Sequence, residues 1–352
     1  MPVSATSSAR ALGAILPLIT AGQPYEAHQK ARTFASRYSK SSQYDTAIDV
    51  LFQSARELFK TGQQGSGVDL AGFLLDVYES KGEVVSDESR GRLTQLIALA
   101  GSSGSWRKTL IDKCISWSAK HGPCPAGDPG LQHYVGELLY KEGEFEAAEP
   151  HLLASGQRDS ARLLADMMVD WLAAGGTPGL YALRGTIPYL QNGNILAAHT
   201  FVTHYTTTLL SRFPSYRSSS QPTSLPIGSP DAPSGEVTLT TDPVLNFCQL
   251  AVLTCQRAQG DRSKTIRESW VRLCGTYQSK GGVLASLEVR TALQELSQLY
   301  FAISPPRSQA ANPLGDMLSS LFGGGQPGGS GSGAPARRVL APGSGSSTPG
   351  LD

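Results

Sequence analysis

Three side chains near the middle of the chain have the chemistry of metal ligands. Cys114, His121 and Cys124 supply two thiols and an imidazole, the groups from which zinc sites are built. A fourth ligand at a suitable spacing is missing, and Cys114 lies beside Trp117 on an apolar helical face. We therefore interpret the cysteines as packing residues. We predict no metal site and no cofactor.

Two glycine-containing segments have part of the pattern of a phosphate-binding loop. In Gly101–Thr109, Arg107 stands where the motif needs glycine, and no strand is predicted before it. Gly65–Gly67 lacks both a preceding strand and a third glycine. It is better explained as a helix N-terminus at which Ser66 and Asp69 form a capping box. Since the sequence also shows no nucleophile elbow or clustered acid pair, we predict that the chain is not an enzyme.

Composition excludes several classes of protein. The formal net charge of +1 argues against nucleic-acid binding, which needs a clear cationic excess. No apolar stretch is long enough for a transmembrane helix, and the start of the chain lacks the basic region of a signal peptide. The five cysteines have no framework spacing, and Cys248 and Cys255 lie too far apart on one helix to pair. We therefore expect a cytosolic protein.

The elements that would position these side chains are helices. Apolar residues recur with helical spacing through most of the first 300 positions, for example at Ala161, Leu164, Ala165, Met168 and Leu172. Asp128, Thr177 and Asp242 each precede a proline, which predicts three capped helix starts. Val237 and Leu239 alternate with polar residues, which indicates one short β-ribbon.

Internal similarity indicates how the helices are arranged. Gly143–Ala148 and Gly193–Ala198 share the form Gly-x-apolar-x-Ala-Ala. In tetratricopeptide-like repeats the glycine permits a tight turn and the alanines let two helices approach closely. Roughly seven helix pairs of about 40 residues would account for Ala11–Ile303. We predict an all-α, right-handed α-solenoid of tetratricopeptide-like helix pairs with one short β-hairpin.

The solenoid is expected to have two halves and two less regular ends. Residues 1–10 are predicted to be flexible, followed by an N-terminal half over 11–155 and a C-terminal half over 156–304 that carries the loop and hairpin 214–241. Residues 305–352 are rich in Gly, Ser and Pro, a composition that cannot support a core. Within that tail, 313–322 has the apolar spacing of a short helix. It is either a last helix packed on the solenoid or a docking motif.

Short motifs in a fixed order resemble a known family. The segments that carry the resemblance are Pro24–Thr33, Ser66–Leu70, Asp76–Tyr78, Trp117–Ser118, Gly127–His133, Trp171–Leu172 and Asp316–Gly324. Together they resemble the Golgi-to-ER traffic protein 4 family, the fourth component of the guided-entry-of-tail-anchored-proteins pathway. The Pro- and Ser-rich loop Pro214–Gly235 and the Gly-rich end of the chain depart from the family pattern.

The resemblance implies a non-catalytic adaptor with two partners. The N-terminal helices would dock the dimeric ATPase that targets tail-anchored proteins to the endoplasmic reticulum. The residues implied for this docking are Tyr25, His28, Lys30, Arg32, Arg37, Tyr38 and Asp69. The C-terminal helices and hairpin would bind a protein with a ubiquitin-like domain, through Val237, Leu239, Leu245 and Phe247. Any dimer would form through that partner, with no membrane insertion by this chain.

The charge pattern fits such a role but does not require it. Residues 1–40 contain five basic side chains (Arg10, Lys30, Arg32, Arg37 and Lys40) and one acidic side chain, Glu26. A basic first helix pair steers an acidic protein surface, whereas the alternative is a solvated face with no partner. A tetratricopeptide-like scaffold with other clients would explain the helices without the ordered motifs. An enzyme that uses Cys114, His121 and Cys124 is the third hypothesis.

Overall fold

The computed structural model describes residues 3–102, 104–219, 224–226 and 235–304, which fall into two compact units that divide between Ser160 and Ala161. The helices of the first unit are α1 (Val3–Thr20), α2 (Pro24–Lys40), α3 (Tyr44–Lys60), α4 (Gln64–Lys81), α5 (Asp87–Leu99), α6 (Trp106–His121), α7 (Pro129–Lys141) and α8 (Phe145–Ser155). The boundary falls within α9 (Arg158–Ala173). The second unit continues with α10 (Pro178–Gln191), α11 (Ile195–Arg212), β1 (Ser224–Pro226), β2 (Glu236–Thr238), α12 (Pro243–Gln256), α13 (Lys264–Gln278) and α14 (Leu287–Phe301).

The all-α class with one short hairpin is confirmed. The described residues form fourteen α-helices, the number that seven helix pairs require. Helix α1 begins at Val3, inside the segment 1–10 for which flexibility was predicted. The alanines of this segment have high intrinsic helix propensity. None of the described helices is long and apolar enough to cross a membrane. The tail and its segment 313–322 lie outside the described residues.

The first unit has two layers of helices. Helix α4 packs against α2 and α6, while α3 packs against α1 and α5, and α5 packs against α7. Successive helices alternate between the layers, which is the arrangement of stacked helix pairs. On α2, the alanines Ala27, Ala31 and Ala35 are completely buried. Because they recur every fourth residue and have small side chains, α2 lies close to its neighbours and turns its long polar side chains outward.

A recurring turn joins consecutive helices. Gly22, Gly62, Gly143 and Gly193 all have a positive φ, between 71° and 81°. In each case the next residue donates its backbone N–H to the carbonyl five positions earlier, which is the hydrogen bond of a Schellman motif. This confirms the turn role predicted for the repeat glycines. The turn between α2 and α3 has the same hydrogen bonds, but Ser42 occupies the left-handed position with φ 57°.

The predicted helix starts are only partly confirmed. The Asp128 carboxylate accepts the Leu131 N–H at 2.8 Å, and the Asp242 carboxylate accepts the Val244 N–H at 2.8 Å. Thr177 precedes α10, but its side chain makes no capping hydrogen bond. The predicted capping box of Ser66 and Asp69 is wrong. Helix α4 already begins at Gln64, so both residues lie within the helix.

The second unit buries most of the aromatic side chains that hold it together. Phe201 packs on Gly185, where a Cβ atom would lie 2.1 Å from the ring, and its own ring stacks on Tyr205 at 5.6 Å. Phe247 of α12 is fully buried and its ring lies 5.4 Å from that of Tyr277. Trp171 is only half-buried. Truncation of Trp171 to alanine should therefore lower the free energy of unfolding by less than truncation of a fully buried tryptophan would.

The predicted ribbon is an antiparallel pair that α12 holds in place. Leu225 of β1 is opposite Val237 of β2. The Gln249 side chain of α12 donates to the Thr238 carbonyl at 2.9 Å and accepts the Thr238 N–H at 3.0 Å. Asn246 makes the same pair of hydrogen bonds to the backbone of Thr240. The ribbon is therefore fixed to the helix by side-chain amides.

Candidate protein-docking site

Helix α2 presents a polar face in the first unit. Pro24 occupies its first turn, where the fixed φ of proline suits a helix start, and the alanine stripe sets which side faces inward. Tyr25 is 73% exposed, and Lys30 and Arg37 are also exposed. Tyr38 is half-buried, and its hydroxyl donates to the Ser7 carbonyl at 3.2 Å. The predicted docking residues of α2 thus lie on one helix, but Tyr38 is partly used to hold α1.

Asp69 joins α4 to α2. His28 Nε2 lies 2.7 Å from Asp69 Oδ2, and the Arg32 guanidinium contacts the same oxygen. Partial burial alone would raise the pKa of Asp69, but hydrogen bonds from His28 and Arg32 outweigh it and leave the pKa below its ordinary value. The structure therefore brings together three of the predicted residues, of which His28 and Asp69 are 41 positions apart in the sequence.

An open groove lies between α2 and α4. Its volume is about 570 Å³, and it is lined by Arg32, Thr33, Ser36, Arg37, Lys40 and Phe73. The Arg32 guanidinium carbon lies 5.4 Å from the centre of the Phe73 ring, a cation–π distance. Arg37 and Lys40 form no ion pair with any described residue. The groove thus combines an aromatic side chain with cations that remain available to an acidic partner.

Sequence reasoning missed part of this groove. Phe73 and Lys40 were not among the predicted docking residues, although both line it. Lys40 had a usable signal, since it is the last basic residue of the N-terminal basic segment. Phe73 had none, because an aromatic residue within an apolar helix is predicted to be core. Its contact with Arg32 depends on how α2 and α4 pack.

The residues predicted to contact the second partner are placed differently. Val237 is 1% exposed, and Leu245 and Phe247 are fully buried, while Leu239 is half-buried. Three of these four side chains are therefore core residues of the second unit and not surface anchors. The hydrophobic effect explains why these predicted contact residues lie in the core: the apolar character that made them candidates also favours their burial. Leu225 of β1 is 38% exposed and was overlooked within the Ser- and Pro-rich loop.

Cys114, one of the side chains that suggested chemistry, lies in unreactive surroundings. Cys114 is fully buried, and burial raises the pKa of its thiol to about 12, so the thiol stays protonated near neutral pH. In the described part of the chain, no group of three or more His, Cys, Asp or Glu side chains is placed to hold a metal ion. The segment Gly101–Thr109 follows helix α5 and enters α6, unlike a phosphate-binding loop, which follows a strand.

A family model described as Golgi to ER traffic protein 4 matches residues 41–322. The chain belongs to this family. The Golgi to ER traffic protein 4 of Aspergillus fumigatus is 35% identical over 332 residues, which cover 89% of each chain. The protein of the same name from Schizosaccharomyces pombe is 29% identical over 307 residues, which cover 86% of this chain and 91% of the relative. The resemblance drawn from the ordered motifs is confirmed.

A solved structure gives the same result at the level of the fold. The crystal structure of Get4 from C. therm. matches with a TM-score of 0.75 and 36% identity, and the match covers 90% of this chain and 96% of that one. The predicted solenoid architecture is therefore the fold of this family. The family model begins at residue 41, immediately after α2, so Asp69 lies within the matched region whereas Tyr25 to Lys40 lie before it.

Proposed function

We propose that this chain is a non-catalytic cytosolic adaptor of the Golgi to ER traffic family that bridges two proteins. The α2–α4 face of the first unit docks the dimeric ATPase that targets tail-anchored proteins. The second unit binds a partner with a ubiquitin-like domain. By holding both partners, the adaptor promotes the loading of tail-anchored membrane proteins for delivery to the endoplasmic reticulum. Family membership supports the pathway, and the α2–α4 face supports the docking role.

The observation that carries the proposal is the α2–α4 groove. Its three cations differ in their contacts. Arg32 forms an ion pair with Asp69, whereas Arg37 and Lys40 form no ion pair with the described residues. Exposed cations around an apolar ring attract an acidic surface over a distance and give it an aromatic contact once bound. Such a face fits a protein partner better than a small substrate, because the groove is wide open to solvent.

The second partner is assigned to the ribbon and α12 of the second unit. Because Val237, Leu245 and Phe247 are buried, their part in this interaction is to hold the ribbon in shape. Among the described residues of the ribbon, Leu225 is the more accessible apolar side chain, and Leu239 is half-buried. We propose that the N-terminal segment of the ubiquitin-like partner contacts this accessible side of the ribbon.

Charge reversal tests the first half of the proposal. The double variant Arg32→Glu with Arg37→Glu should weaken binding of the full chain to the nucleotide-bound ATPase by about tenfold or more, because two attractive contacts become repulsive. Most of the effect should appear in the association rate and should shrink as salt rises. Surface plasmon resonance at two ionic strengths measures both quantities.

The matched control reverses two exposed arginines of the second unit, Arg262→Glu with Arg272→Glu. This control should leave ATPase binding unchanged. The Arg32 and Arg37 variant should in turn keep its one-to-one complex with the ubiquitin-like partner, as measured by light scattering. If both interactions fail together in the first variant while the protein remains folded, the two-partner assignment is wrong.

A further inference from the structure

A second groove lies on the other side of α4, between α4 and α6. It is open, with a volume of about 390 Å³. Two apolar side chains at its base, Leu75 and Trp117, are buried. Charged side chains of both signs stand around them: Asp76, Glu79, Asp112, Lys113 and Lys120. The two grooves flank α4 in the same helix layer, and so form consecutive parts of one face.

The absence of a side chain at Gly72 helps to shape this groove. A Cβ atom at Gly72 would lie 2.9 Å from the Lys113 ammonium nitrogen. The lysine of α6 therefore reaches over α4 at the position where α4 has no side chain. Lys113 is exposed and forms no ion pair with the described residues. Its charge consequently remains at the rim of the groove.

The carboxylates of the groove differ in how they are neutralised. Glu79 lies 2.9 Å from the Lys120 ammonium and 3.6 Å from His121 Nε2. Asp76 and Asp112 are exposed and have no ion pair within the described ranges. The α2–α4 groove has the opposite imbalance, since its unpaired side chains are the cations Arg37 and Lys40. The unpaired side chains are therefore all cationic in the α2–α4 groove, whereas in the α4–α6 groove the two carboxylates outnumber the one unpaired cation, Lys113.

One side chain of the groove also has an unmet hydrogen bond. Trp117 is 4% exposed, and its indole N–H has no hydrogen-bond partner among the described residues. A buried donor without an acceptor is energetically unfavourable. The indole N–H is itself buried, so Trp117 offers an occupant an apolar ring, while Asp76 and Asp112 at the rim attract a positive charge. A peptide segment with a basic side chain suits this combination of an apolar base and two exposed carboxylates.

We infer that the α4–α6 groove binds a basic segment of the same ATPase that docks on α2. A lysine or arginine of that segment lies between Asp76 and Asp112, and its backbone lies over Leu75 and Trp117. This inference rests on the proposed function and extends the docking face to α6. Because the net unpaired charge is positive in the α2–α4 groove and negative in the α4–α6 groove, the two grooves favour one orientation of the partner. A rotated partner would place like charges together.

Site-specific photocrosslinking tests the inference in the full chain. A photoreactive amino acid replaces Ser116 in the α4–α6 groove, Ser36 in the α2–α4 groove, or Gln95 on α5 in the other helix layer. Ser116 and Gln95 are exposed, and Ser36 is half-buried. With the nucleotide-bound ATPase, positions 116 and 36 should cross-link and position 95 should not. Mass spectrometry of the cross-link at 116 should identify a segment with a lysine or arginine.

The outcomes separate the inference from the function on which it rests. Cross-linking at 36 without cross-linking at 116 would overturn the inference and leave the α2–α4 docking intact. Failure at both positions would contradict the proposed function as well. A cross-link at 116 to a segment without basic residues would also overturn the inference, because the two carboxylates would then have no counter-charge.

Charge reversal gives an independent measurement. Asp76→Lys with Asp112→Lys should weaken ATPase binding about fivefold at low salt, which corresponds to about 1 kcal/mol in total and is typical of two exposed ion pairs. The control Gln95→Lys with Ala98→Lys adds positive charge on α5 and should leave the affinity unchanged. Equal affinity of the Asp76 and Asp112 variant and the unaltered protein, with the same melting temperature, would contradict the inference.

Discussion

The α2–α4 face and the ribbon with α12 are the two regions to which sequence reasoning assigned partners, and they differ in where their candidate residues lie. All seven residues assigned to the ATPase are charged or bear polar rings; five are exposed, and His28 and Tyr38 are half-buried. Three of the four residues assigned to the ubiquitin-like partner are in the core. The difference follows from solvation. Charged side chains stay at the surface because burial is costly, whereas apolar side chains serve a core and an interface equally well.

The largest expected effect sharpens this difference. Phe247→Ala should lower the free energy of unfolding by about 3–5 kcal/mol, because it removes a fully buried ring and leaves a cavity. Urea unfolding followed by circular dichroism measures the change. Tyr25→Ala removes a ring that is 73% exposed and is the matched control, with little expected change in stability. A Phe247 variant of unchanged stability that no longer binds the ubiquitin-like partner would show that Phe247 is a surface anchor after all.

A smaller effect separates the stability of α2 from its docking role. Ser42 has the left-handed conformation that glycine has in the equivalent turns. Ser42→Gly should therefore stabilise the chain by about 0.5–1 kcal/mol, which differential scanning calorimetry can detect as a higher melting temperature. ATPase affinity should not change. Gly62→Ala is the opposite test at the next turn, and it should destabilise by a similar amount. A stabilising Gly62→Ala would contradict the account of the turn.

The smallest effect concerns the ion pair that fixes α2 to α4. Asp69 has a folded-state pKa below its ordinary value of 3.8. Its ionised form therefore stabilises the fold above that value, and the contribution is lost as the pH falls through the folded-state pKa. With a side chain that is 45% exposed, the contribution should be under about 0.5 kcal/mol. Carbon-13 NMR titration should show the pKa of Asp69 rising in Arg32→Ala. An unchanged pKa would mean that Arg32 does not hold the carboxylate.

Much of the fold could be predicted because its signals are local. Glycine followed by Ala-Ala marks two of the recurring turns, at Gly143 and Gly193, and Asp before Pro marks the starts of α7 and α12. The capping box predicted at Ser66 could not be judged from the neighbouring residues alone, because several positions in Gly62–Gly67 are suitable for a helix start. In the structure helix α4 begins at Gln64. With this start, Asp69 contacts Arg32, and Val68 and Leu70 are buried. Long-range packing decides between locally equivalent starts.

The candidate site was predictable only where charge was the signal. Arg32, Arg37 and Asp69 could be found from the basic N-terminal segment and the ordered motifs. Phe73 could not, since its exposure to the groove depends on the distance between α2 and α4. The α4–α6 groove gave no sequence signal either, because Asp76 and Asp112 come from different helices. Their proximity exists only after the helices pack.

The amides of Gln249 and Asn246 have a consequence for association between molecules. An unpaired strand edge is a template on which another chain can add a strand, and many sheet proteins protect such edges. Here the side chains of α12 already occupy the backbone groups of Thr238 and Thr240 on one edge of the ribbon. The other edge contains Pro226, which has no N–H to donate. A ribbon of two short strands is thereby protected on both sides against the edge-to-edge growth that leads to aggregates.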